Sequence, residues 1–493
     1  MEVALGVSEP LDRKTAKLLR PFSFANPVER AISRARTTLA YARSIRTVDA
    51  MVEDFDETFV DFIERHGLMD VSAMDGPSAY RMFRQIYDEV ADLWGGPMMV
   101  LDAMLLTMVG SLAVLTKLFL RGAPEWVQFA VVNPEPDVIS VEPAKELADI
   151  SAFVREHPDL DAFIASVEPS VAYAELALRT QEDDSPIWSE LHRKIDDYID
   201  RFGYRCLDEL KLETPDLRQD PAGIFHLLRM DTAETRDKKT GGDSARDYLD
   251  AHLRGGRRRR VFDALRRKIQ RAATHREHLR FCRTQGFGIL KSLVGVMGRE
   301  LEQRGGTIHS RSDVFLLRID ELFDLYENSM TTAEAQTVIR RRKRLQDNYA
   351  QFAAPARFTT TGSDYSQREL AQAGWRLSED ATHAPAGTVL TGTPSSPGVV
   401  TGRAVVVEKP QDFSSGILVA YRTDPGWAAA LPFASALLIE RASPLTHVAI
   451  IARELGVPTV VQIDGLTNAI RTGMKVSVDG ASGRIVLLEE PES

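Results

Sequence analysis

A chain of 493 residues is too long for one hydrophobic core, so two or three domains are expected. Its 44% apolar and 27% charged content is that of a soluble globular protein, and two cysteines, Cys206 and Cys282, leave no room for a disulfide framework or a CxxC metal site. A net charge of −10 argues against bulk binding to nucleic acid or an anionic membrane, and the scarcity of cysteine fits a reducing cytoplasm.

The first twenty residues hold Glu2, Glu9, Asp12, Arg13, Lys14 and Lys17 and lack an apolar signal-peptide core. From about residue 25 to 350 one helical pattern follows another, including Pro27 to Phe62, Met98 to Leu120 and Pro143 to Arg155. Asp102 and Lys117 interrupt the second of these. The fourteen residues between them, Ala103 to Thr116, fall short of the roughly 18–20 that span a bilayer. A buried core helix is expected there, with no membrane partner. The whole region, residues 1–354, is read as a large all-α domain.

Thr359 to Gly387 is rich in Thr, Ser, Gly and Ala, which marks a linker, placed at 355–388. Residues 389–493 then read as a small α/β domain. Gly398 to Val407 is read as a strand pair. Gly416 to Ala420, Ala436 to Glu440, Val457 to Gln462, Lys475 to Val478 and Arg484 to Leu488 are further strands, and His447 to Leu455 is a helix. The fold class is therefore multidomain, a helical domain followed by a small α/β domain.

The string Ser443-Pro-Leu-Thr-His447 opens that helix, with Ser443 as its expected cap and Pro444 at its first position. His447 then sits in or beside the first turn, where free backbone N–H groups and the helix dipole favour an anion. An imidazole there can attack phosphorus as a neutral nucleophile. The Thr446 hydroxyl and Arg453, six residues on, are the expected stabilisers of the phosphoryl group. A lone histidine would more often be structural, but this one has company.

Along the helix from Val261 to Val294, the residues Phe262, Leu265, Ile269, Phe287, Leu290 and Val294 share one stripe with Arg276, Arg280 and Arg283. Buried guanidinium groups need anionic partners. Two accounts stand, salt bridges within the domain or a cationic wall facing a phosphoryl group, and Gly286 and Gly288 threaten to break the helix. Arg257 to Arg260 reads as a solvated face or docking patch rather than a nucleic-acid site. Tyr204, Arg205 and Glu209 are either a pocket element or a structural ion pair.

Residues 389–488 resemble the phosphohistidine swivel (mobile) domain of the phosphoenolpyruvate-utilising enzymes. The matching pieces are Gly392-Thr-Pro-Ser-Ser-Pro-Gly398, Val419-Ala-Tyr-Arg-Thr-Asp-Pro-Gly-Trp427, Thr446-His-Val-Ala-Ile-Ile-Ala-Arg-Glu-Leu-Gly456 and Val478-Asp-Gly480. The resemblance puts the family's phosphorylated histidine at His447 and its following arginine at Arg453. One departure is Ala442-Ser443, where the family has Gly-Gly. Phe202 to Glu213, Arg276-Glu277-His-Leu-Arg280, Ser312 to Leu316 and Arg341 to Asn348 are similar to the helical substrate domain of the rifampin-phosphotransferase-like group.

No Gly-rich phosphate loop with lysine and acidic metal ligands is visible, and no metal ligands are expected on this chain. The resemblance then implies the substrate-binding and phosphohistidine part of a split dikinase-type phosphotransferase. ATP and Mg²⁺ would be held by a separate ATP-grasp-type subunit, with none bound by this chain alone. His447 would pass the phosphoryl group to a small hydroxyl-bearing substrate, an aromatic hydroxyl being the leading expectation. The rival readings are a phosphocarrier or regulatory protein without a small-molecule acceptor, and an inactive scaffold, which the missing Gly-Gly pair brings in. No general base is assigned from sequence.

Overall fold

A computed structural model describes residues 27–67, 71, 73–133, 142–182, 185–205, 211–229, 241–303, 308–350, 352–353, 376–377, 384–413 and 415–489. Two compact units result. One contains residues up to 58 with 346–380, and the other contains 59–345 with 381–493. In the first, the short strands β1 (Phe352–Ala353) and β2 (Arg376–Leu377) pair antiparallel. β2 lies inside the stretch read as a linker, most of which is outside the described residues.

The helices in chain order are α1 (Pro27–His66), α2 (Gly76–Phe119), α3 (Glu125–Ala130), α4 (Glu142–Glu156), α5 (Pro158–Ser166), α6 (Pro169–Glu182) and α7 (Pro186–Phe202). They continue with α8 (Ala222–Leu228), α9 (Gly241–His252), α10 (Gly256–Gln303), α11 (Ile319–Tyr326) and α12 (Thr332–Ala350). The long α10 packs along α2. It runs unbroken through Gly286 and Gly288, and the reason for the second glycine is plain. A Cβ at Gly288 would stand 2.1 Å from Tyr204 Cδ1, so glycine is what lets the Tyr204 ring lie on the helix.

The helix around Met98 to Leu120 is less enclosed than a core helix. The apolar stretch Pro97–Phe119 is 23 residues long, has a mean hydropathy of 2.1 and is only 29% buried. Leu101, Met104, Met108 and Leu112 turn inward, while Met99, Val114 and Leu118 are exposed. One face packs, as the 3.6-residue period demands, and the other does not.

The second unit ends in an eight-stranded sheet of order β3-β10-β9-β5-β6-β7-β8-β4. Its strands are β3 (Val389–Thr391), β4 (Thr393–Ser396), β5 (Val399–Val406), β6 (Gly416–Arg422), β7 (Ala434–Arg441), β8 (Thr459–Val461), β9 (Lys475–Asp479) and β10 (Arg484–Glu489). Gly398 to Val407 is thus one strand, not two. β5, β6, β7 and β8 are parallel, and the outer pairings are antiparallel. β6 and β7 bury both faces, so they read as continuous apolar runs. One face of the sheet covers Ile417, Val419, Leu438 and Val476. The other joins Trp427, Leu431, Phe433, Val448 and Ile451 to Ile150, Val154, Trp188 and Phe202 of the helical region in one continuous core. The buried Trp427 of the Thr-Asp-Pro-Gly-Trp string owes its place to that core. The crossover from β7 to β8 is α13 (His447–Glu454), which starts outside the carboxyl end of β7, where parallel sheets present ligands. A last short helix, α14 (Leu466–Ala469), precedes β9.

Candidate active site at His447

α13 begins at His447, with Thr446 as its N-cap, three residues later than Ser443 predicts. The residues before it form a turn. Ser443 O accepts from Thr446 N at 2.9 Å and from Thr446 Oγ1 at 2.8 Å, and Ser443 Oγ accepts from Leu445 N at 3.2 Å. Neither Ala442 nor Ser443 has a positive φ, so this loop makes no demand that only glycine meets. The serine at 443 firms the turn with its own hydroxyl. His447, at the first helical position, is 5% exposed.

The imidazole does not face its own domain alone. Its Nδ1 meets Glu277 Oε2 of α10, and the Glu277 side chain is fully buried. Burial pushes the Glu277 carboxyl up, but His447, Arg280 and Arg276 outweigh it and hold that carboxyl well below the usual carboxylate range. An ionised Glu277 can accept a hydrogen bond from Nδ1–H, and in the neutral imidazole that leaves the Nε2 lone pair free, which is the tautomer a nucleophile at Nε2 requires. Glu277 is a residue that sequence reasoning quoted within Arg276-Glu277-His-Leu-Arg280 but gave no role. The signal was a carboxylate set among three arginines on one helix.

The arginine stripe divides. Arg276 Nε donates to Asp102 Oδ1 of α2 at 2.7 Å, and its Nη1 donates to Leu445 O, two residues before His447, at 3.4 Å. Arg276 Nη1 and Arg280 Nη1 lie 3.6 and 3.5 Å from Glu277 Oε1. Burial lowers the Arg280 pKa, with Glu277 opposing. Arg283 Nη1 approaches Met98 Sδ at 3.8 Å, one turn further from the pair. Arg276 thus bridges within the helical domain, as the salt-bridge account expects, and also reaches the loop ahead of His447.

Arg453 is fully buried and burial pushes it down to about 10. Its Nη1 donates to Pro444 O at 2.7 Å and Ser395 Oγ at 2.9 Å, and its Nε donates to Asn133 Oδ1 at 2.6 Å. It thus braces the loop ahead of His447 against β4, and none of its hydrogen bonds goes to His447. Asn133, just past α3, is the second residue that sequence reasoning missed. Arg205 is buried, with its guanidinium 5.2 Å from the Phe281 ring centroid, and the structure does not bring it to His447 by any described contact. Glu209 lies outside the described residues.

Next to the Arg276–Leu445 contact is a pocket of about 120 Å³, lined by Leu105, Val109, Val132, Ile269, Leu445 and Ile450 together with the charged Asp102, Arg276 and Arg453. Leu445 and Ile450 flank His447 in the chain.

Comparison with known proteins agrees with this geometry. Residues 413–483 match the phosphoenolpyruvate-utilising enzyme mobile domain, and residues 99–277 match the rifampicin phosphotransferase fourth domain. The chain is 27% identical over 448 residues to a rifampicin phosphotransferase of a Streptomyces species, covering 85% of this chain and 48% of that protein. It is 23% identical over 377 residues to the Bacillus subtilis rifampicin phosphotransferase, covering 71% of this chain and 40% of that one. Over 105 residues, 20% of this chain and 13% of the other, it is 41% identical to the phosphoenolpyruvate synthase of Aeropyrum pernix. The chain spans about half the length of the curated rifampicin phosphotransferases it matches, or somewhat less. Glu277 is the last residue of one match and His447 lies inside the other, so the two side chains that meet come from the two matched regions. The chain therefore carries a mobile domain of the phosphoenolpyruvate-utilising enzyme family, packed against a helical region like the fourth domain of rifampicin phosphotransferases.

Proposed function

We propose that His447 takes a phosphoryl group derived from ATP and passes it to the hydroxyl of a small organic molecule held against the helical region. The observation that carries this reading is the contact of Glu277 with His447 Nδ1. It fixes the imidazole with Nε2 as the free nucleophilic nitrogen, at the start of a helix. ATP and Mg²⁺ belong, in this reading, to a separate ATP-grasp-type subunit in the cytoplasm. Residues 389–493 swing between that subunit and the helical region, because one imidazole cannot reach two sites from a fixed position.

Phosphoryl transfer asks for alignment and charge stabilisation more than for covalent help from the protein. Arg276 and Arg280 supply positive charge beside the histidine, and Thr446 completes the first turn. The pocket of about 120 Å³ has room for a single ring, since a cavity of about 150 Å³ takes benzene, and its charged Asp102, Arg276 and Arg453 suit a ring that carries a hydroxyl. A phenol fits that size better than a large macrocycle does.

The test combines this chain, an ATP-grasp chain, Mg²⁺ and labelled ATP, followed by a panel of hydroxyl compounds that includes phenols and rifampicin. The expected result is an acid-labile, base-stable label on His447 that moves to one class of acceptor. A His447→Ala chain that labels as well as the parent sinks the assignment.

A further inference from the structure

Asn133 occupies a place that burial and hydrogen bonding single out. It is 2% exposed, at the end of the Val131-Val132-Asn133 turn that follows α3. Its amide uses both ends on consecutive residues of α13: Oδ1 accepts from Arg453 Nε at 2.6 Å, and Nδ2 donates to Glu454 Oε1 at 2.5 Å. The two partners lie more than 300 residues away in sequence. An amide offers an acceptor for the guanidinium and, on a separate atom, a donor for the carboxylate in one side chain.

The apolar core between the α/β domain and the helical region is adhesive but not directional. Polar contacts must set its register. Among the described residues, three side chains of the helical region reach α13 and its loop: Glu277 to His447, Arg276 to Leu445 O, and Asn133 to Arg453 and Glu454. The first two engage the reacting end of α13. Asn133 engages the far end, two turns on, and so fixes the direction of the helix axis behind the histidine.

We propose that Asn133 is a positioning residue, the latch that holds α13 in register against the helical region so that His447 stays seated on Glu277. This rests on the swivel reading above. Without the latch, the buried Arg453 Nε would lose the acceptor it has in Asn133 Oδ1, and the swung-out state would gain population. Loss of a hydrogen bond to a buried charged group corresponds to roughly a tenfold or greater change in such an equilibrium.

The experiment reads burial of His447 directly, by its rate of carbethoxylation with diethylpyrocarbonate followed by peptide mass spectrometry of the full chain. His252, on the exposed face of α9, is the accessible reference, and His66, 6% exposed, reports that the fold is intact. Asn133→Asp keeps an acceptor for Arg453 but sets a carboxylate against Glu454. The expected result is on the order of tenfold faster modification of His447, with His66 still protected. Pairing Asn133→Asp with Glu454→Gln exchanges donor and acceptor across the contact, and should restore slow modification. The proposal is overturned if Asn133→Ala and Asn133→Asp leave the His447 rate unchanged. It is overturned as well if the exchanged pair fails to restore protection, or if His66 becomes reactive together with His447. Neither ATP nor an acceptor enters the assay, so failure of the latch and failure of the phosphotransfer reading are separate results.

Discussion

Glu277 and His447 stand 170 residues apart in sequence, one in the middle of a 48-residue helix and the other at the first position of an eight-residue one, and their side chains meet in a buried contact. The carboxylate chooses the imidazole tautomer, so its charge matters beyond its shape. Glu277→Gln keeps the size but offers Nδ1 either a donor or an acceptor. Labelling of His447 and onward transfer should fall on the order of tenfold to a hundredfold, the usual range for loss of an outer partner of a reacting histidine. The folded fraction should remain high by circular dichroism. Unchanged single-turnover transfer in Glu277→Gln would remove the carboxylate from the mechanism.

The same contact gives a pH dependence with a definite sign. The Glu277 carboxyl is depressed below its ordinary value of 4.5, despite burial, by His447, Arg280 and Arg276. A depressed carboxylate stabilises the folded state fully above its unfolded pKa, and that contribution is lost as pH falls through the folded one. Urea midpoints of the parent chain minus those of Glu277→Gln should therefore shrink as pH falls below about 4.5. A difference that grows below that pH would contradict the pairing.

Two helix-interior glycines should respond in opposite directions to alanine. At Gly110 of α2 an added Cβ meets nothing within 4 Å, so Gly110→Ala should stabilise by about 0.5–1 kcal/mol through helix propensity. At Gly288 of α10 the Cβ falls 2.1 Å from Tyr204 Cδ1. Gly288→Ala should cost about 1–3 kcal/mol as the buried ring is displaced. Denaturant unfolding of both variants checks the pair, and equal responses would mean that Tyr204 moves aside freely.

Much of this was legible in the sequence, and the reasons are local. His447 announced itself because a helix start, a preceding Ser-Pro turn and the resembling string lie within a dozen residues. β6, β7 and α13 followed from continuous apolar runs and a single period change. The α10 stripe was legible by its spacing, yet its glycines looked like breaks, because the Tyr204 ring that Gly288 admits comes from a segment 84 positions earlier. Helix α2 looked buried because hydropathy records composition, not which face finds a partner. Glu277 and Asn133 were illegible as candidate site residues for one shared reason: each meets its partners only when α13 arrives from far along the chain. Arg453 was legible by its place in the resembling string, but not the hydrogen bonds with which it braces the loop that presents the histidine.

The sharpest division of labour is expected between Arg276 and Arg280. Arg276 holds Asp102 of α2 and Leu445 O together, so Arg276→Ala loosens packing as well as charge, and should lower both the melting temperature and transfer. Arg280 has no carboxylate within ion-pair distance among the described residues except Glu277, 3.5 Å away, and its Nε finds no hydrogen-bond partner there. Burial lowers its pKa, so its charge is held at a cost to the fold. A desolvated cation beside a phosphoryl acceptor offsets that cost only when negative charge develops next to it, and such preorganised charge is worth about 10²–10³ in rate. Arg280→Ala should therefore slow transfer from phosphorylated His447 by that order while the melting temperature changes little, and Arg280→Lys should recover part of the rate. If Arg280→Ala instead lowers the melting temperature by several degrees and the folded fraction turns over normally, Arg280 is a structural partner of Glu277 and takes no part in stabilising the transferred group.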